Sequence, residues 1–184
     1  MQVTIVAADQ YTMDKSFQWV LILLMTITLQ YLFTIYLFTM PARIRAFTAD
    51  FMAQFDKEHS EAFPGKDKAP QQGYPDNGNG RYASKLSYGD WYRMNNGQRC
   101  QVNFLEHITF VLVSGLIAGL CYPNATIGIL SAVFVGRLLF SIGYTKCGPS
   151  ARVPGALTMD LGILVGLGFM IASCIKLWTD LQPV

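Results

Sequence analysis

Four long apolar runs divide the chain, at about 17–40, 98–121, 125–144 and 155–178. Each is close to the ~20 apolar residues needed to cross a ~30 Å hydrocarbon layer. The turn CYPNA separates the second and third runs, and a short polar link follows the third. Between the first and second runs lies a polar stretch, 41–97. This pattern predicts an all-α integral membrane four-helix bundle, a single domain over 1–184, with a long loop between helices 1 and 2.

The long loop divides further. Apolar Ile44, Phe47, Phe51 and Phe55 recur at helical spacing, which predicts an amphipathic continuation of the first helix to about Phe63. The stretch FPGKDKAPQQGYPDNGNGRY is rich in turn residues and predicts irregular coil. In KLSYGDWYRMNNG, Trp91 and Tyr92 suit an interfacial level before the second span. A coil of this length is either functional, as a partner-binding segment, or a tolerated insertion.

Composition sharpens the class. Hydrophobic residues make up 52% of the 184, and a mean hydropathy of +0.29 is too apolar for a soluble domain of this size. Asp9 and Asp14 precede the first run with only Lys15 against them, so it reads as a retained helix rather than a secretory signal. A net charge of +2 without a basic cluster gives no reason to expect nucleic acid. Cys100, Cys121, Cys147 and Cys174 form no CxxC pair, so neither a disulfide scaffold nor a zinc site is expected. Lys and Arg concentrate in the long loop and after the third run, which predicts that both face the cytosol.

Polar residues inside the runs carry the candidate chemistry. Arg99, Asn103 and Glu106 stand at i, i+4 and i+7, on one helical face at the mouth of the second run. Gln101 and His107 lie beside them, the third run carries Arg137, Phe140 and Tyr144, Arg152 follows, and the fourth run contains Asp160. Arginine offers a planar fork for carboxylates, asparagine donates and accepts, and glutamate receives an ammonium. A zwitterionic ligand with extra carboxylates fits that inventory, and an arginine beside a thiol favours the thiolate. Two structural pairings compete: Arg99 with Glu106, and Arg137 with Asp160. His107 is expected to be a hydrogen-bonded packing residue rather than a base. With only His59 besides, no metal site is expected. Gly115, Ala118 and Gly119 are expected to be helix contacts.

At these residues the chain resembles the membrane-associated proteins in eicosanoid and glutathione metabolism (MAPEG), most closely the type 3 microsomal glutathione transferases. RCQVNFLE is similar to the family's R-x-x-x-N-x-x-E element, and GRLLFSIGYTKCGPSARVPGAL resembles its later G-R-x-x-Y-x-x-G-Y segment and continuation. The resemblance implies a left-handed bundle assembling as a homotrimer, with glutathione as co-substrate held between protomers near the cytosolic face. It implies that Arg99 and Asn103 hold glutathione's carboxylates and that Glu106 receives its γ-glutamyl ammonium. Gln101, Arg137 and Tyr144 would complete the cradle with Arg45 or Arg43, and Arg152 would be the catalytic residue that stabilises the thiolate.

The chain departs from the family at Phe140, where relatives commonly carry tyrosine, at His107 and Ile108, the region where relatives often place another, at Cys100–Gln101, and in its longer loop. Two functions follow as alternatives. One is a glutathione transferase or peroxidase acting on lipophilic electrophiles or lipid hydroperoxides drawn from the bilayer. The other is a non-catalytic accessory subunit of a larger membrane complex. The implied location is the endoplasmic reticulum, with a mitochondrial or other organelle membrane as the alternative.

Overall fold

A computed structural model describes residues 14–180; Asp9, one of the acidic residues before the first span, lies outside them. The chain runs through α1 (Phe17–Ala46), α2 (Ala49–Ala53) and α3 (Asp56–Ala62), then α4 (Tyr88–Cys121), α5 (Pro123–Cys147) and α6 (Val153–Asp180). No strand occurs among the described residues. Helices α1, α4, α5 and α6 form the bundle, each long and apolar enough to cross a membrane.

The bundle interior is built from one stripe of each helix. Val20, Leu24 and Ile27 of α1 meet Phe104 and Val111 of α4, Leu130 and Val133 of α5, and Met159 of α6. The outward faces are also apolar, with Trp19, Met25, Phe33, Phe110, Leu138 and Leu161 exposed. A helix that is apolar all round belongs in lipid or against another helix. Lipid tails are as apolar as leucine, so helix association there depends on close packing rather than on expelling water. Helices α5 and α6 achieve it at Gly136 and Gly155. A Cβ on Gly136 would sit 2.8 Å from the Met159 backbone nitrogen, and one on Gly155 would overlap the Phe140 backbone. Gly115 admits Leu24 and Leu130, Gly119 admits Val20 and Phe17, and Ala118 is buried, so all three small residues are packing contacts.

Local chemistry sets the helix ends. Pro123 opens α5 one residue after Tyr122, where its missing N–H costs nothing and its fixed φ suits the first turn. At the other end of α5, Gly148 has φ +90° and its N–H returns to the Tyr144 carbonyl at 3.2 Å. Helix α4 starts ten residues before the apolar run, at Tyr88 rather than 98, because the Ser87 hydroxyl caps it by accepting from the Asp90 N–H at 3.2 Å. Its 34 residues extend about 51 Å, so roughly 20 Å project beyond the hydrocarbon.

From 63 to 82 the loop runs through turns and irregular backbone with one short 3-10 turn, as its composition predicts, but α1 does not continue amphipathically to Phe63. Phe47 leaves helical geometry (φ −104°, ψ 64°), and the Thr48 hydroxyl caps a new short helix by accepting from the Phe51 N–H at 3.2 Å. Phe47 and Phe55 then gather with Ala46, Met52, Ala69, Ala83 and Met94 in a second apolar cluster, with Phe51 packed against it. The 47–87 segment is thus a folded cap on the bundle. Arg43, only 3% exposed, pins it. Its Nε donates to the Gln72 carbonyl at 2.9 Å, its Nη2 to the Asp76 carbonyl, and its guanidinium stacks 3.9 Å above the Tyr74 ring. The Asp76 carboxylate accepts the N–H groups of Gly78 (2.7 Å), Gly80 (2.9 Å) and Ala83 (2.8 Å), which orders the NGNG turn. Trp91 also serves the cap, its indole N–H donating to the Gly78 carbonyl at 3.0 Å.

Below the cap, α1 widens into a π-turn at Ile35–Thr39. The Thr39 hydroxyl donates to the Gly97 carbonyl at 3.0 Å. A Cβ on Gly97 would fall 2.7 Å from that of Ala42, so α1 and α4 touch closely here.

Candidate functional site

On α4 the 100° advance per residue places Arg99, Asn103 and Glu106 within roughly 60° of one another. Arg99 and Glu106 are exposed in the single chain, while Asn103 is half-buried at the edge of the bundle. Glu106 stands fifteen residues before Cys121, about 22 Å along the helix and so within hydrocarbon depth. A carboxylate there must be covered by polar groups or a wet cavity.

Arg137 of α5 meets this stripe from inside. It is 1% exposed. Its Nη1 donates to the Asn103 Oδ1 at 2.8 Å, and its Nη2 lies 3.2 Å from the His107 Nδ1. A guanidinium only donates, so the His107 Nδ1 accepts and the ring proton sits on Nε2. The guanidinium is flanked by the Phe104 ring at 4.4 Å and the Phe140 ring at 5.1 Å, while its Nε has no partner. From the other end of its amide, Asn103 reaches the Glu106 Oε2 at 3.5 Å. A polar chain therefore runs outward from His107 through Arg137 and Asn103 to Glu106.

Neither pairing expected from sequence forms. Among the described residues the ion pairs are Lys57–Glu61, Arg81–Glu58 and Arg93–Asp90, all outside the bundle interior. Arg137 is held by an amide and an imidazole, and Asp160 is exposed on α6 because Met159 and Gly162 take its inward face. His107 is hydrogen-bonded inside the bundle, as the sequence leads one to expect, and its position one turn beyond Asn103 brings it to Arg137.

Tyr144 is buried beside Phe140, their rings 5.5 Å apart, and both enclose Cys100. The guanidinium of Arg152 lies 5.3 Å from the Tyr144 ring centre. Gly143 permits this, because a Cβ there would overlap the Ala151 carbonyl. Without a side chain at 143, the short turn Pro149–Arg152 folds back onto α5.

Two expected members do not converge with the stripe in one chain. Gln101 points roughly 160° round α4 from Arg99. Arg45 is exposed and lines a different cavity with Arg93 and Lys146. Arg43, the alternative at that place, is committed to the cap. No cluster of His, Cys, Asp or Glu suited to a metal occurs among the described residues.

No individual curated protein and no solved structure matches the chain. The sequence model of the MAPEG family matches residues 19–173. That match reaches into all four spans and includes every polar residue of the site, and the chain belongs to the MAPEG family, which includes membrane glutathione transferases and related proteins.

Proposed function

We propose that the protein is a glutathione-binding membrane transferase, of the type 3 microsomal kind, working on lipophilic electrophiles or lipid hydroperoxides. The observation that carries this is Asn103. It is held between a buried guanidinium and an exposed carboxylate, with Arg99 on the same face. In this proposal Arg99 and Asn103 take the tripeptide's carboxylates and Glu106 takes its ammonium. Arg137 orients Asn103, and Tyr144 and Arg152 lie toward the thiol. Glutathione covers Glu106, which would otherwise face lipid, and a neighbouring copy in a homotrimer closes the site. Gln101, on the opposite face of α4, serves the neighbour's site.

A cation near the sulfur favours loss of the thiol proton to water. The thiolate pair then forms the carbon–sulfur bond as the electrophile's leaving group departs with its electrons. With a hydroperoxide it attacks the terminal oxygen and breaks the O–O bond, the departing alkoxide takes up the released proton to become the alcohol, and the sulfenic acid left on sulfur condenses with a second glutathione thiol to give disulfide and water. The endoplasmic reticulum is the membrane proposed.

Calorimetric titration of glutathione into the detergent-purified protein tests the site. Micromolar to millimolar binding that Arg99→Ala abolishes supports it. Absence of binding by well-folded protein refutes it and points to the accessory-subunit function instead.

A further inference from the structure

A cavity of about 320 Å³ opens on the flank of the bundle, between the cap-side ends of α1, α4 and α5. None of the stripe residues lines it. Its lining changes character with height. Leu37, Phe38 and Pro41 of α1 form an apolar floor, and Arg45, Arg93 and Lys146 stand around the rim with Asp90.

The membrane fixes what that height means. Counted from Phe17, about 30 Å of helix ends at Leu37, so the floor lies at the last turn inside the hydrocarbon. Arg45 is roughly 12 Å further along α1, and Lys146 stands about 35 Å from Pro123 along α5. The rim therefore sits at headgroup level. Leu37 is 64% exposed, so the floor opens sideways to the bilayer.

The rim carries surplus positive charge. Arg45 and Lys146 have no ion-pair partner among the described residues, and Arg93 has only Asp90, at 3.9 Å. Asp90 is shared, since its carboxylate also accepts the Ser87 hydroxyl at 2.7 Å. Three cations thus face one carboxylate.

We propose that this cavity binds the phosphate headgroup of an anionic phospholipid, with the acyl chain lying on Leu37 and Phe38. Charge complementarity selects the anion, because a zwitterionic headgroup would bring its ammonium among three cations. The apolar floor selects a lipid over free phosphate, which has nothing to set against it.

Native mass spectrometry of delipidated protein, titrated with phosphatidylglycerol or phosphatidylcholine of the same acyl chains, tests the site. The parent is expected to retain phosphatidylglycerol preferentially. Arg93→Gln/Lys146→Gln is expected to weaken that binding by ten- to thirtyfold, at about one surface cation's worth per residue removed. Lys66→Gln/Lys68→Gln removes the same charge from the exposed cap and is expected to leave the preference intact. Equal retention of both lipids, an equal loss in the cap variant, or displacement by millimolar inorganic phosphate would each overturn the proposal. Circular dichroism matching the parent ensures that a lost preference is not lost folding.

Discussion

Replacing Asn103 separates its two assigned tasks, because alanine and aspartate affect them differently. In the folded chain its Oδ1 accepts from the Arg137 Nη1 at 2.8 Å, at a residue 1% exposed. Asn103→Ala strands a buried charged donor whose Nε is already unpartnered. A hydrogen bond to a charged group contributes about 1.5–3 kcal/mol, so a melting point some 3–12 °C lower is expected for a chain of this length. Asn103→Asp keeps the acceptor and gives Arg137 a formal counter-charge. Its attraction and desolvation roughly offset, so the melting point is expected to stay within about 3 °C of the parent. Toward glutathione, however, aspartate adds negative charge 3.5 Å from Glu106 and removes the amide donor. Affinity is expected to fall tenfold or more, about 1.4 kcal/mol. Thermal unfolding in detergent, followed by circular dichroism, reads the first effect, and calorimetric titration reads the second. Asn103→Ala melting with the parent would refute the assignment of Asn103 as the anchor of Arg137. Asn103→Asp binding glutathione at parental affinity would refute the ligand site even with the anchor intact.

Arg152→Ala is expected to cut conjugation of a lipophilic electrophile at least a hundredfold, the scale of one electrostatic donor, with glutathione affinity little changed; an unaltered rate would sink its assignment. Gly143→Ala drives a methyl into the Ala151 carbonyl and should lift the Pro149–Arg152 turn, lowering turnover more than it lowers the melting point; the comparison is a rate assay against thermal unfolding. The cap should loosen in acid. Burial alone would raise the Asp76 carboxyl, but the N–H donors of Ala83, Gly78, Gly80 and Tyr82 together outweigh it and hold it below the ordinary 3.8. Its contribution is therefore fully present above 3.8 and lost as pH falls further, through the lowered folded value. Hydrogen exchange in 47–87 should rise over that range in the parent, and Asp76→Asn should show the fast exchange already at neutral pH.

Hydropathy made the four spans legible because lipid imposes a length and an apolar character on every crossing helix. It missed the first ten residues of α4, since YGDWYRMNNG is polar and projects out of the membrane. The Ser87–Asp90 cap was the readable sign there. In the cap, the helical spacing of Ile44, Phe47, Phe51 and Phe55 was genuine but spanned three elements, because Thr48 offered the backbone a local alternative. The Arg43 and Asp76 contacts join residues about thirty positions apart, which no periodicity reports. For the site, spacing gave the shared face of Arg99, Asn103 and Glu106 directly. It gave no means of choosing a partner for Arg137, since Asn103, His107 and Asp160 all lie on neighbouring helices and only packing decides which turns inward.

The cap and the stripe are linked through one short stretch of backbone contact. Thr39 bonds the Gly97 carbonyl, and Gly97 accepts Ala42 against it; Arg99 follows half a turn later on α4. Arg43, one turn beyond Thr39 on α1, anchors the cap. The axial register of α4 against α1 is thereby fixed immediately beside the first residue of the stripe. A slip of α4 by one residue would move each side chain about 1.5 Å and rotate it 100°, enough to carry Asn103 off Arg137. The polar chain from His107 to Glu106 consequently depends on an interhelical clamp that touches no member of it. The π-turn at Ile35–Thr39 ends at the same contact, where the Thr39 hydroxyl and the Phe38 carbonyl lie against Gly97 of α4. A wider turn there costs some regular helix bonding, and a site that needs α4 held in one register gives that distortion a physical reason.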